Sequence, residues 1–139
     1  MSAAATLALR DPAASRLEQE AARLSALLES ARGEARALGL PVTWQPLAKD
    51  GAEAQRGADG ESADFRFTGL PPSNALPTRW IDRDVTATIA GANAITLGPE
   101  PIIGAQRLTL SLDTRHLTLA TDGLGPFTIV ADEPAQAQQ

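Results

Sequence analysis

Cysteine and tyrosine are absent from this 139-residue chain, and histidine, lysine and methionine occur once each. Without cysteine there is no disulfide framework, no thiolate zinc site, no iron–sulfur cluster and no cysteine nucleophile. The lone histidine, His116, excludes any site built on two imidazoles, the H-E-x-x-H metalloproteases among them. Aromatic residues are scarce. Phe65, Phe67, Phe127, Trp44 and Trp80 are too few for a platform that stacks bases or sugars. No apolar run reaches the roughly 18 residues of a membrane span. An excess of cations is missing too: 12 Lys and Arg stand against 17 Asp and Glu, a net charge of −5. That balance argues against nucleic acid, whose binding rests on neutralising phosphates.

What is present is unevenly placed. Residues 1–38 hold five Arg and five acidic groups, while residues 39–139 hold seven basic and twelve acidic ones. The whole −5 therefore lies in the second part. The length fits one domain, able to bury about two thirds of the surface its unfolded chain exposes.

Met1-Ser-Ala-Ala-Ala-Thr-Leu-Ala-Leu-Arg10 is too short for a signal peptide. On these residues alone it reads either as the last turns of a longer apolar helix or as a frayed, alanine-rich terminus. Asp11-Pro12 is a strong helix opening, because Asp accepts from free N–H groups and Pro suits the first turn; Ser15 with Glu18 offers a second start as a capping box. Leu17, Ala21, Leu24, Leu28, Ala31, Ala35 and Leu38 follow at alternating steps of four and three, a continuous seam that Leu27 widens. Glu20 with Arg23, and Glu29 with Arg32, fall three apart on the other faces, where solvated charge pairs support a helix. Gly39 and Pro41 end it. The spacing predicts a helix over 11–38, about 40 Å long.

After Pro41 the period becomes that of strands. Pro41–Gln45, Ala63–Phe67, Val85–Ile89, Ala94–Leu97, Arg107–Leu112, Arg115–Thr121 and Pro126–Val130 are the predicted strands. Val85–Ile89 and Ala94–Leu97 read as a hairpin around Ala90-Gly-Ala-Asn93. Asp113-Thr114 reads as a two-residue turn that brings Leu108, Leu110 and Leu112 onto one buried face with Leu117 and Leu119. Thr109, Ser111 and Thr118 then look the other way. Ala48–Glu61 contains three glycines and no apolar residue larger than alanine, so it is expected to be a mobile loop; Asp132–Gln139 has nothing to bury and is expected to be disordered. One helix followed by six or seven antiparallel strands is an α+β arrangement. The C-terminal half of the helix is expected to pack on the protein's own sheet, its alanines suiting close approach. The N-terminal half has fewer candidates to cover it.

The inventory of chemistry is thin. His116 sits on a strand near a turn, with Ser111 and Asp113 across it, and reads as an exposed strand residue. Asp82 and Asp84 flank Arg83 without the D-x-D-x-D-G pattern of a calcium loop, so they read as solvated charges. Asp59-Gly-Glu-Ser62 and Asp122-Gly-Leu-Gly125 read as turns. Trp44 and Trp80 read as core. No catalytic, cofactor-binding or metal-ligating residue is nominated.

Several stretches nevertheless resemble one family. The helical stretch Leu17–Ala35, Gly39-Leu-Pro-Val-Thr-Trp44, Phe65-Arg-Phe-Thr-Gly-Leu70 and the closing Leu117-Thr-Leu-Ala-Thr-Asp-Gly-Leu-Gly-Pro-Phe127 are similar to general secretion pathway protein H, a minor pseudopilin of bacterial type II secretion. The resemblance spans residues ~10 to 130 and implies a pilin-like α+β fold: one long N-terminal helix packed on antiparallel strands, in one sheet or two small ones. It implies a non-enzymatic filament subunit anchored in the inner membrane, with its globular part in the periplasm. That subunit would link a tip of other minor pseudopilins to the major-pseudopilin shaft. The family's leader, cut before Phe-Thr-Leu-x-Glu, has no counterpart here, so leader cleavage and N-methylation map onto no residue of this chain. Residues 1–10 are then a remnant of the membrane-proximal helix or an added start, and the isolated domain is expected to be a monomer without cofactors. Leu7, Leu9, Arg10, Arg16, Leu17 and Glu20 are the residues expected to contribute subunit contacts. Three alternatives share parts of this pattern: a type IV pilus minor pilin, a DNA-uptake minor pilin, which lacks its basic patch here, and a periplasmic β-sandwich module binding an apolar ligand or a glycan.

Overall fold

A computed structural model describes residues 12–47 and 63–130. The expected loop 48–61 and the expected disordered tail 132–139 lie outside the described residues, as do Leu7, Leu9 and Arg10. One helix, α1 (Pro12–Leu38), is followed by β1 (Val42–Pro46), β2 (Phe65–Thr68), a short 3₁₀ turn (Pro72–Asn74), β3 (Thr86–Ile89), β4 (Ile95–Gly98), β5 (Gln106–Leu112), β6 (Arg115–Thr121) and β7 (Thr128–Ile129). The strands form two antiparallel sheets, ordered β2-β1-β4 and β3-β5-β6-β7.

The seam of α1 does what its spacing predicts up to Ala35. Leu17, Ala21, Leu24, Leu28, Ala31 and Ala35 are all buried, against Val42, Trp44, Ile95 and Leu97 of one sheet and Leu108, Leu110, Leu117 and Leu119 of the other. Leu38 departs from the expectation and is 48 % exposed. The helix ends in a Schellman-type turn there: Gly39 has a positive φ of 68° and Leu40 N–H donates to Ala35 O at 3.1 Å. The chain turns towards β1 before Leu38 can reach the core.

The N-terminal half of α1, for which the sequence offers fewer candidates, is covered as well. Ala13, Leu17 and Ala21 are buried. The 79–84 connection crosses this part of the helix, bonded to Glu20 and Arg23, and Trp80 joins Trp44 and Phe65 in the core. Ring centroids lie 4.7 Å apart for Phe65 and Trp80 and 5.7 Å for Trp44 and Phe65. Tilted aromatic packing of this kind adds to the area it buries.

The β5–β6 hairpin matches its prediction. Leu108, Leu110 and Leu112 pair with Leu119, Leu117 and Arg115, the turn falls at Asp113-Thr114, and Asp113 takes the positive φ of 56° that this tight connection requires. The other predicted hairpin does not form. β3 pairs with β5 (Ala87 with Leu110, Ile89 with Leu108), whereas β4 pairs with β1 (Trp44 with Ile95). Residues 90–94 carry the chain from one sheet to the other. Alternation marks a strand but does not choose its neighbour. Here Ile95 and Leu97 bury beside Trp44, and Ala90 N–H extends the β3–β5 ladder to Arg107 O at 3.0 Å.

Where the sheets part, Gln106 fastens them. Its side-chain Oε1 accepts from Thr96 N–H at 2.8 Å, and its Nε2 donates to Thr96 O at 2.9 Å. The amide thus stands in for a neighbouring strand on the open edge of β4, which would otherwise offer unpaired backbone groups to another chain.

Candidate assembly surface

The flanks of α1 carry polar residues, and these define how the loops are held. Arg32 is 3 % exposed. Its Nη1 donates to Gly125 O at 2.7 Å and pairs with the Glu29 carboxylate at 3.1 Å; its Nη2 donates to Leu124 O at 3.1 Å, Gly123 O at 3.2 Å and Pro101 O at 3.4 Å. One guanidinium therefore ties the 99–103 loop and the 122–126 loop to the helix. Ser25, two turns earlier on the same face, donates to Phe127 O at 2.6 Å. Farther along, Glu34 accepts from Asn74 Nδ2 at 2.6 Å and holds the 3₁₀ turn.

The 122–126 loop also closes on itself. Asp122 Oδ1 accepts from Leu124 N–H and Gly125 N–H, and those two bonds hold its carboxyl below the usual carboxylate range. Thr121 Oγ1 accepts from Gly123 N–H and donates to Gly125 O. Gly123 has a φ of 100°, and a methyl group built on it would lie 2.6 Å from Gly104 N. Only glycine fits.

The expected contact residues separate into three groups. Leu7, Leu9 and Arg10 lie outside the described residues. Arg16 is exposed at 53 % of its side chain and pairs with Asp82 at 3.3 Å. Leu17 and Glu20, each 1 % exposed, are buried in the domain's own packing and offer no free surface to a partner. Glu20 Oε2 accepts from Asp82 N–H at 2.6 Å, Arg23 lies 3.9 Å from Oε1, and Oε1 has no hydrogen-bond partner. Burial raises the Glu20 pKa, and the Asp82 N–H and the Arg23 charge offset only part of that rise. The pairs Glu20/Arg23 and Glu29/Arg32 are thus not a solvated face: Glu20 and Arg32 are interior, because the loops wrap farther round the helix than the leucine seam extends.

Sequence reasoning missed Arg32 and Ser25 as loop anchors. The signal was there in their seven-residue spacing, which sets both beside Leu28 on the flank of the seam. Asp82 is not a simple solvated charge either. It accepts from Asp84 N–H at 3.0 Å and pairs with Arg16.

Elsewhere the arrangement offers little chemistry. Ser111 Oγ and His116 Nδ1 lie 2.9 Å apart on paired strands, exposed, and the other ring nitrogen has no hydrogen-bond partner among the described residues. No group of three or more potential metal ligands occurs among the described residues. Two clefts among them, about 250 Å³ beside Arg107 and Thr121 and about 180 Å³ beside Phe67 and Leu76, fall short of the roughly 300 Å³ at which small-molecule sites begin. Large apolar side chains are exposed instead, Ile102 and Leu124 the most at 61 % and 65 %.

A long helix laid across two small antiparallel sheets, its loops fastened by buried polar side chains, is the pilin-like fold. A solved structure shares it. The type IV minor pilin FimU of Pseudomonas aeruginosa (strain PAO1) superimposes with a TM-score of 0.54 at 18 % identity, over 88 % of this chain and 91 % of that one. The family model described as Type II transport protein GspH matches residues 20–125, and this chain belongs to that family. No curated protein matches. Among the described residues, no helix is long and apolar enough to cross a membrane.

Proposed function

We propose that this chain is a minor pseudopilin subunit of a bacterial type II secretion pseudopilus, joining the minor-pseudopilin tip to the major-pseudopilin shaft. The observation that carries the reading is the family match over residues 20–125, which takes in most of α1 and every strand up to β6. In this reading an apolar segment on the N-terminal side of α1 anchors the protein in the inner membrane, and the domain stands in the periplasm. Leu7, Leu9, Arg10 and Arg16 are the side chains proposed to meet neighbouring helices; Leu17 and Glu20 are withdrawn because the domain buries them.

Co-purification of the full chain with the other minor pseudopilins and the major one tests this. The expected result is a stable complex with at least one of them. Recovery of the chain alone, with partners at micromolar concentration, contradicts it. The fold shared with FimU favours a second reading, a subunit of a type IV pilus. Recovery with pilus subunits in place of secretion subunits would select that one.

A further inference from the structure

Between Thr78 and Val85 the chain is fixed at both ends and held by charge in the middle. Thr78 O accepts from Asp64 N–H at 2.8 Å and from Phe65 N–H at 3.1 Å, Trp80 is buried, and Val85 is fully buried just before β3. From Ile81 to Asp84 no apolar side chain is buried: Ile81 is 60 % exposed, and Asp82, Arg83 and Asp84 are charged. This turn keeps its own shape, since Asp82 Oδ1 accepts from Asp84 N–H at 3.0 Å and Asp82 O accepts from Val85 N–H at 3.2 Å. It meets α1 through Asp82 N–H, which donates to Glu20 Oε2 at 2.6 Å, and through Asp82 Oδ2, which pairs with Arg16 at 3.3 Å.

The carboxyl group under the turn is poorly provided for. Glu20 is 1 % exposed, its Oε1 has no hydrogen-bond partner, and Arg23 Nη1, 3.9 Å from that oxygen, donates instead to Arg79 O at 2.9 Å. Among the described residues, the charges acting on Glu20 are Arg23 from α1 and Asp82 from the turn, and they oppose each other. Arg16 reaches it only by way of Asp82, and Asp64, just before β2, accepts from Trp80 N–H at 2.8 Å. Glu18, Arg83 and Asp84 are exposed. Burying a carboxylate with one oxygen unpaired costs more than burying the neutral acid. Lifting the turn returns the charge to water.

We propose that the 81–84 turn is a pH-gated cover on the N-terminal half of α1, closed over Glu20 while its carboxyl is protonated and released, with Trp80 and Val85 as hinges, when it is ionised. Opening breaks the Arg16–Asp82 pair and lets water reach Glu20. The closed state binds the Glu20 proton at a higher pH than the open, hydrated state does. The open population therefore rises with pH from the ordinary carboxylate range to the raised value and levels off above it. The gate belongs to the domain alone and stands independently of the assembly reading. Where that reading holds too, opening frees Arg16, one of its contact side chains.

Amide hydrogen exchange of the full chain, followed by NMR from the ordinary carboxylate range to above neutrality, tests the gate. Asp82 N–H should be at least about 30-fold less protected than Leu28 N–H in the middle of α1, because the turn opens without the rest of the domain. Its protection factor should fall by up to about tenfold per pH unit and then level off. The levelling should coincide with the midpoint of the Glu20 titration, read from its carboxyl-carbon shift in the same sample. Glu20→Gln keeps an acceptor for Asp82 N–H and should abolish the slope. Equal protection at Asp82 and Leu28 would mean that the turn opens only when the whole domain does, and overturns the gate. So does a flat wild-type profile, or a slope that persists in Glu20→Gln. If that variant does not fold, a wild-type midpoint that departs from the Glu20 titration overturns it equally.

Discussion

Arg32 carries more of the loop architecture than any other polar side chain described. Arg32→Ala would take the side-chain donor from Pro101 O and Leu124 O, leave Gly123 O and Gly125 O with one donor each, and open a buried gap, a loss of about 3 kcal/mol. Urea unfolding should record it, and Arg32→Lys should restore little, because an ammonium cannot span the positions that the planar fork reaches. A loss below about 1 kcal/mol would show that water replaces the guanidinium without cost. Glu20 tests the interior differently. Its pKa is raised by burial, so the folded state binds its proton at a higher pH than the unfolded state does. As pH falls from above the raised value towards the ordinary carboxylate range, this group makes the fold more stable, and the cost of its buried charge is felt in full only above the raised value. Glu20→Gln should therefore flatten the stability profile on the alkaline side of the ordinary carboxylate range, removing the loss of stability that sets in as pH rises through the raised value. Parallel profiles would place the Glu20 carboxyl in contact with water. Neither residue declares itself in the sequence. Glu20/Arg23 and Glu29/Arg32 have the i,i+3 spacing of solvated pairs, and only the course of two distant loops decides that one member of each is interior.

The elements themselves were largely legible. The four-three alternation from Leu17 to Ala35 can satisfy only a helix, and strict alternation from Arg107 to Thr121 around Asp113-Thr114 can close only a hairpin. The false hairpin shows where such reasoning stops: β3 and β4 are adjacent in sequence and alternate properly, yet one pairs with β5 and the other with β1. Strand choice follows from which partner buries Ile95 and Leu97, a long-range quantity. The 122–126 loop illustrates the same limit in reverse, since Asp122-Gly-Leu-Gly125 reads as a turn and is one, but its fit against Gly104 is tertiary. Gly123→Ala should combine a disfavoured φ with a backbone clash and lower stability by about 2 kcal/mol or more, with the melting temperature as readout. Gly33→Ala, at an exposed helical position with open space around it, should raise stability by about 1 kcal/mol. If the two glycines respond alike, the distinction between a required and a tolerated glycine is wrong.

At the scale of the molecule, scarcity of cysteine, histidine and aromatics pointed away from catalysis, and leucine and alanine are concentrated where they build packing. The family was legible from the helical and closing stretches, while the surface it presents was not. Two of the six nominated contact residues are buried by the domain itself, and the apolar tips that do face solvent, Ile102 and Leu124, carry no periodic signal because they lie on loops. The central claim is that this subunit serves type II secretion through assembly. It is tested most directly by deleting its gene from the organism that carries it and following an exported enzyme. The account predicts that the enzyme accumulates in the periplasm and that the wild-type gene restores export. Undiminished export with loss of surface pili would contradict it.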